Sequence, residues 1–341
     1  MSFTDPSGKY CIKIEPLKIL PFILLLAGLT MPGMAQWQKV VVPTTNDLYS
    51  ITFPDSIHGF ISGKGIVLKS IDKGENWDIA FTISSQPQLT NISFPSMDIG
   101  YVVGDNTLLK TIDGGENWFS LNPPPCYPLR GVWFHDLVTG LICGGGGIWR
   151  TEDGGMTWTE QQSSVVWLRR FSFPVPDTGY CCGDIKTLYK TTDGGKNWSL
   201  IQVPFAPNLS AVDFTDSHTG YVSGANGFIS KTTDGGISWA QLNSGTSLNF
   251  ENGLWALDPM NVYASGQSGV LLSTSDGGNT WGQEVTNTSS YLRGFCFLTT
   301  GNAFICGHDG TLLTKEFAPP CMPSADFTFS RVQLAVSFQN T

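Results

Sequence analysis

One eight-residue phrase is written six times between residues 70 and 281, its first residues separated by 41, 40, 40, 41 and 42 positions. The copies read SIDKGENW at Ser70–Trp77, TIDGGENW at Thr111–Trp118, TEDGGMTW at Thr151–Trp158, TTDGGKNW at Thr191–Trp198, TTDGGISW at Thr232–Trp239 and TSDGGNTW at Thr274–Trp281. A period near 40 belongs to propeller blades or solenoid units, whose neighbours bury each other's apolar faces. In each copy an Asp two positions after Ser/Thr accepts hydrogen bonds from the amides of its own turn. A Gly at the fifth position supplies positive φ for the reversal, and the Trp opens the next strand with a large apolar surface. Asp72, Asp113, Asp153, Asp193, Asp234 and Asp276 are therefore read as fold-forming residues, not as ligands.

Between octapeptides the pattern repeats. A short alternating run (Leu48–Phe53, Leu89–Phe94, Leu129–Phe134, Leu168–Phe173, Leu209–Phe214) precedes a polar turn and a second run opening on glycine. A third run ends in Lys/Arg-Ser/Thr, and the octapeptide leads into a fourth strand. Four short antiparallel strands per repeat predict an all-β fold, a seven-bladed β-propeller with four-stranded blades. The last unit, Leu292–Phe297, Ala303–Cys306 and Thr311–Lys315, stops at Pro319-Pro320 without a fourth strand, while Trp37–Val42 resembles an isolated one. The N-terminal strand is thus expected to complete the last blade, which removes the free edges of an open array. Recurring Phe53, Phe94, Phe134, Phe173, Phe214 and Phe297, and Tyr101, Tyr180, Tyr221 and Phe304, are assigned to the core between blades.

Lys9, Lys13 and Lys18 precede the apolar run Ile19–Leu29, and small residues lead to Gln36, the pattern of a cleaved export signal over residues 1–35. The run is too short for a comfortable membrane span, so no membrane insertion is expected after cleavage. The propeller is assigned to 36–320, and 321–341 to a linker and the truncated start of another domain. A net charge of −9 argues against a general nucleic-acid surface. Seven of the eight cysteines follow Cys11. Cys143, Cys182 and Cys306 hold one register position expected to be buried, and sequence leaves a pairing of Cys126 with Cys321 open. Neither the cysteines nor His58, His135, His218 and His308 have metal-site spacing, so neither a metal nor a cofactor is expected.

Residues Trp37–Phe317, through their octapeptides, resemble the Asp-box (BNR-like) proteins, and among them the family similar to photosystem II stability/assembly factors. That resemblance implies seven blades and an arginine-rich patch for a protein client. The octapeptide also occurs in sialidases, sortilin-like receptors and xyloglucanases. Residues 324–341 resemble the opening of a PKD-type immunoglobulin-like domain, which implies a secreted, periplasmic or cell-surface bacterial protein.

Arg130, Arg169 and Arg293 occupy one register position, directly after the leucine that opens the first strand of a unit, and Arg170 adjoins Arg169. In a propeller that position lies near the mouth of the central channel, where bidentate donors suit a carboxylate or acidic peptide. Trp133, Trp149, Trp167 and Trp255 break the aromatic pattern and are candidates for surface work, and Trp133 and Trp167 join the candidate ligand-binding set. The expectation is a monomeric, non-catalytic, assembly-factor-like propeller that binds a protein or acidic ligand through an arginine-bearing face. The alternatives are a glycan-processing hydrolase and a structural spacer. A sialidase-like site needs an FRIP-type arginine motif, which is absent, and no pair of acids stands apart for acid and base work.

Overall fold

The computed structural model describes residues 36–298 and 300–317. The expected leader and the linker with its following stub lie outside the described residues, as do Cys11 and Cys321.

The octapeptides build identical turns. In all six, the Ser/Thr hydroxyl donates to the Asp Oδ1 at 2.8 or 2.9 Å, and that oxygen accepts the amide of the seventh residue at 2.9 Å. The same hydroxyl accepts the amide of the fifth residue. Oδ2 takes the side chain at position seven, for example Asn117 Nδ2 at 2.8 Å and Thr157 Oγ1 at 2.6 Å. Both the fourth and fifth residues have positive φ, and Lys73 (φ 66°) is the one non-glycine among them. The fifth residue also needs the absence of a side chain, because a Cβ on Gly115 would lie 2.6 Å from the Phe60 ring.

Three of the turns are gripped by a Tyr–Lys pair of another sheet. Tyr101 and Lys110 both donate to the Gly154 carbonyl, at 3.0 and 2.9 Å, and Tyr180 and Lys190 repeat the grip on Gly235 at 3.2 and 2.7 Å. Tyr101 and Tyr180 are wholly buried and stack on Phe134 and Phe214 with centroids 3.6 and 3.5 Å apart.

Six antiparallel sheets form, five of four strands and one of six. Counted as hydrogen-bonded sheets the blades number six, so the expectation of seven separate four-stranded blades is corrected, and with it the seven blades implied by the family resemblance. The difference lies in one strand, Thr159–Val175, of 17 residues. It pairs with Gly140–Thr151 as far as Trp167 and with Thr178–Gly183 from Leu168 onward, so the expected separate strand Leu168–Phe173 is its second half. The cause is local. Corresponding connections carry chain breakers, such as Pro87, Pro123–Pro125 and Pro204, whereas 159–173 contains neither Gly nor Pro and stays extended.

The N-terminal strand does close the array. Gln38–Val40 pairs antiparallel with Leu312–Glu316, Lys39 opposite Leu313, and that strand continues the sheet to Asn302–Gly307 and Leu292–Phe297. The innermost strands contact one another in a closed ring, Leu48–Thr52 touching both Asn91–Ser93 and Leu292–Phe297. Cys126, Cys143, Cys181, Cys182, Cys296 and Cys306 are buried free thiols.

Candidate functional site

The inner strands share a register irregularity that positions the candidate residues. Pairing shifts between Leu48 and Ser50, Leu129 and Gly131, Leu168 and Arg170, Leu209 and Ala211, Phe250 and Gly253, and Leu292 and Gly294. A bulge takes a residue out of the ladder and re-aims its side chain. The residues so displaced are Tyr49, Arg130, Arg169, Ser210, the Glu251–Asn252 pair and Arg293. Three of the predicted arginines are therefore bulge residues of three inner strands.

Their cations converge, but two are already committed. Arg169 Nε lies 2.8 Å from Asp184 Oδ1, and Arg293 Nη2 lies 2.9 Å from Glu251 Oε2. Arg293 is further held between Tyr49 and Tyr291, each ring centroid 5.2 Å away. Burial pulls Arg130 below the usual guanidinium range, and the positive charges of Arg169 and Arg293 pull it the same way. Arg130 makes no ion pair among the described residues and lies over the Trp167 indole at 5.5 Å. Burial and the charge of Asp47 push the Tyr49 hydroxyl up to about 12. The three guanidiniums thus lie in mixed-charge surroundings, and Arg130 alone of them makes no ion pair among the described residues.

Trp167 is 48% exposed, beside Tyr127 at 65% and Val165. Tyr127 and Trp167 flank the same residue, Gly145, which pairs with Trp167 and whose Cβ would meet the Tyr127 carbonyl at 2.2 Å. Trp133 is not part of this surface. It stacks on Phe173 at 3.8 Å and is partly buried, a packing role that its break from the aromatic period did not signal. Arg170 points inward, into the channel, and does not join Arg130. Sequence reading missed Glu251, although it occupies the bulge register of its unit. Asp184 carried no such signal, because it reaches Arg169 only when two strands pair. Among the described residues no group of three or more His, Cys, Asp or Glu side chains is gathered as for a metal ion, and no helix is long and apolar enough to cross a membrane.

Fold and octapeptides together define a BNR-type β-propeller. The family described as Photosynthesis system II assembly factor YCF48 matches residues 29–167, 196–254 and 243–316, and the chain belongs to it. Photosystem II assembly protein Ycf48 of Synechococcus sp. (strain JA-3-3Ab) is 39% identical over 155 residues, 42% of this chain and 46% of that protein. The chain spans about half the length of the curated relatives it matches. Among solved structures, YCF48 bound to D1 peptide superposes with a TM-score of 0.71 at 24% identity, covering 83% of this chain and 97% of the other. YCF48 from Cyanidioschyzon merolae gives 0.70 at 22% identity, covering 83% and 99%. At these identities the two structures show likeness of fold.

Proposed function

We propose that the channel mouth captures an acidic peptide segment of a protein partner, with Arg130 as the anchoring cation and Trp167 as the apolar platform beside it. The observation that carries this is the state of Arg130. Its guanidinium is partly desolvated, lies over a half-exposed indole and makes no ion pair among the described residues, whereas Arg169 and Arg293 are paired with Asp184 and Glu251. A guanidinium so held is pre-organised for a bidentate pair with a carboxylate. Exposed Tyr127 and Val165 extend the platform for an apolar neighbour in the ligand. The relative solved with a D1 peptide supports a peptide as the ligand class. The lysines and apolar run before residue 36 support placing the propeller outside the cytoplasm of a bacterium.

The test is fluorescence anisotropy with a labelled D1-derived peptide and with an acidic peptide of unrelated sequence. Arg130→Ala is expected to weaken binding about 10- to 100-fold, the worth of a hydrogen-bonded charge pair. Arg169→Ala, which breaks an internal pair, is expected to act less strongly. Undiminished affinity in Arg130→Ala overturns the assignment.

A further inference from the structure

The inner strands line an open-ended cavity of about 330 Å³, bounded in part by Arg170, Asn91, Trp133, Phe171, Trp255 and Phe295. This is at the low end of the roughly 300–1,000 Å³ typical of ligand pockets. Arg170 is anomalous there. The residue just past the bulge of each inner strand is Ser50, Gly131, Ala211, Gly253 and Gly294 elsewhere, and Asn91 takes the same place in the strand Asn91–Ser93. Small residues around the ring leave room for one long side chain to lie across it. Arg170 pairs with Cys182 across the strands of its own sheet, and its charge also acts on Cys306 of the closing sheet.

Arg170 Nη2 is shut off from solvent and has no hydrogen-bond partner among the described residues. The nearest opposite charge is occupied elsewhere: Asp213 accepts the Ala256 amide at 2.8 Å and the Ser172 hydroxyl at 3.3 Å, and makes no ion pair with Arg170. A buried guanidinium N–H without an acceptor is costly, and a ligand oxygen would relieve that cost.

We propose that the channel is a binding site for a small monocarboxylate with an apolar body, its carboxylate on Arg170 and its hydrocarbon or aromatic part against Trp133, Phe171, Trp255 and Phe295. The charge balance selects a monoanion: one open cation, with a carboxyl behind it, suits a single negative charge better than a phosphate dianion. Burial pushes Asp213 up to about 6, so its opposing charge disappears below that pH. The other groups facing Arg170 are the Arg293 guanidinium, itself paired with Glu251, and the Cys182 and Cys306 thiols, pushed up to about 12 by burial and neutral throughout. Affinity therefore rises as pH falls from neutrality toward 5.

The experiment is calorimetric titration of the full chain with benzoate at pH 7.5 and 5.5, together with crystals soaked in 4-iodobenzoate to locate the iodine. Benzoate is expected to bind more tightly at pH 5.5, and Arg170→Gln to weaken it about tenfold or more, the effect of losing a charged hydrogen bond. Asp213→Asn is expected to tighten binding at pH 7.5 and abolish its pH dependence. Arg130→Ala, which should release the peptide, is expected to retain benzoate, so the two sites fail separately. No binding up to about 10 mM, equal affinity in Arg170→Gln, or iodine found only at the mouth overturns the proposal. Where Arg170→Gln does not fold, an Asp213→Asn titration identical to the parent overturns it instead.

Discussion

The octapeptide turns and the channel use the same side chain to opposite ends. In the turns, aspartates are exposed or half-buried at the surface and take donors from their own eight residues. The side chain at position seven and then its amide hold Asp153, Asp234 and Asp276 down to about 2. Between the inner strands, Asp213 is half-buried and accepts hydrogen bonds from two other strands, and desolvation outweighs those bonds to push it up to about 6. The linkage signs differ accordingly. The turn carboxylates contribute stability that is present above the ordinary carboxylate pKa and lost as pH falls through the depressed values. Asp213 contributes stability that is full below about 4 and lost as pH rises through 6. A self-contained turn tolerates water, whereas a shared interior site depends on how much water it excludes.

The largest expected effect tests whether the turns are as local as their hydrogen bonds suggest. Gly115→Ala adds a Cβ at positive φ, 2.6 Å from Phe60 of the preceding sheet. It should cost about 2–4 kcal/mol in urea unfolding, since backbone strain and overpacking add. A loss under about 1 kcal/mol, the size of the glycine propensity alone, would show that the turn yields without disturbing its neighbour.

Asp213→Asn addresses the other half of the contrast. Removing a carboxyl raised by roughly two units should make the variant gain on the parent between pH 4 and 7.5 by about 2–3 kcal/mol. A stability difference that does not change with pH would mean that Asp213 is solvated in the folded protein. The smallest effect belongs to Lys73, the one turn residue that holds a glycine conformation with a side chain. Lys73→Gly relieves that strain and should stabilise by a few tenths to about 1 kcal/mol in thermal unfolding. Destabilisation would mean that the Lys73 side chain makes a compensating contact.

Much of the fold was legible because the octapeptide encodes its own structure. Ser/Thr, Asp, two positive-φ positions and the Trp lie close in sequence, so local chemistry fixes the turn and its period fixes the repeat. The closing strand was legible for a similar reason, since Trp37 repeats the Trp that opens the fourth strand elsewhere. The count of seven separate blades failed where one connection lacks a breaker, at 159–173, and the chain runs on through two sheets' worth of pairing. That signal was present in the missing Gly and Pro, but a repeat-based reading overrides local exceptions.

For the candidate site, sequence supplied the register and tertiary structure supplied the charges. The shared position of Arg130, Arg169 and Arg293 was visible because the leucine before each marks the start of an inner strand. Which of them is free was not, because Asp184 lies 15 residues from Arg169 and Glu251 comes to Arg293 from another strand. Trp133 and Trp167 looked alike as breaks in a pattern, yet one is stacked inside and the other half-exposed. Sequence by itself determined the turns, the strand period and the closure, since these rest on groups near one another along the chain or on a repeat of them. Only the tertiary structure decided which strands merge, which arginine is uncommitted and what lies across the channel, because ion pairing and desolvation depend on neighbours that the closed ring alone brings together.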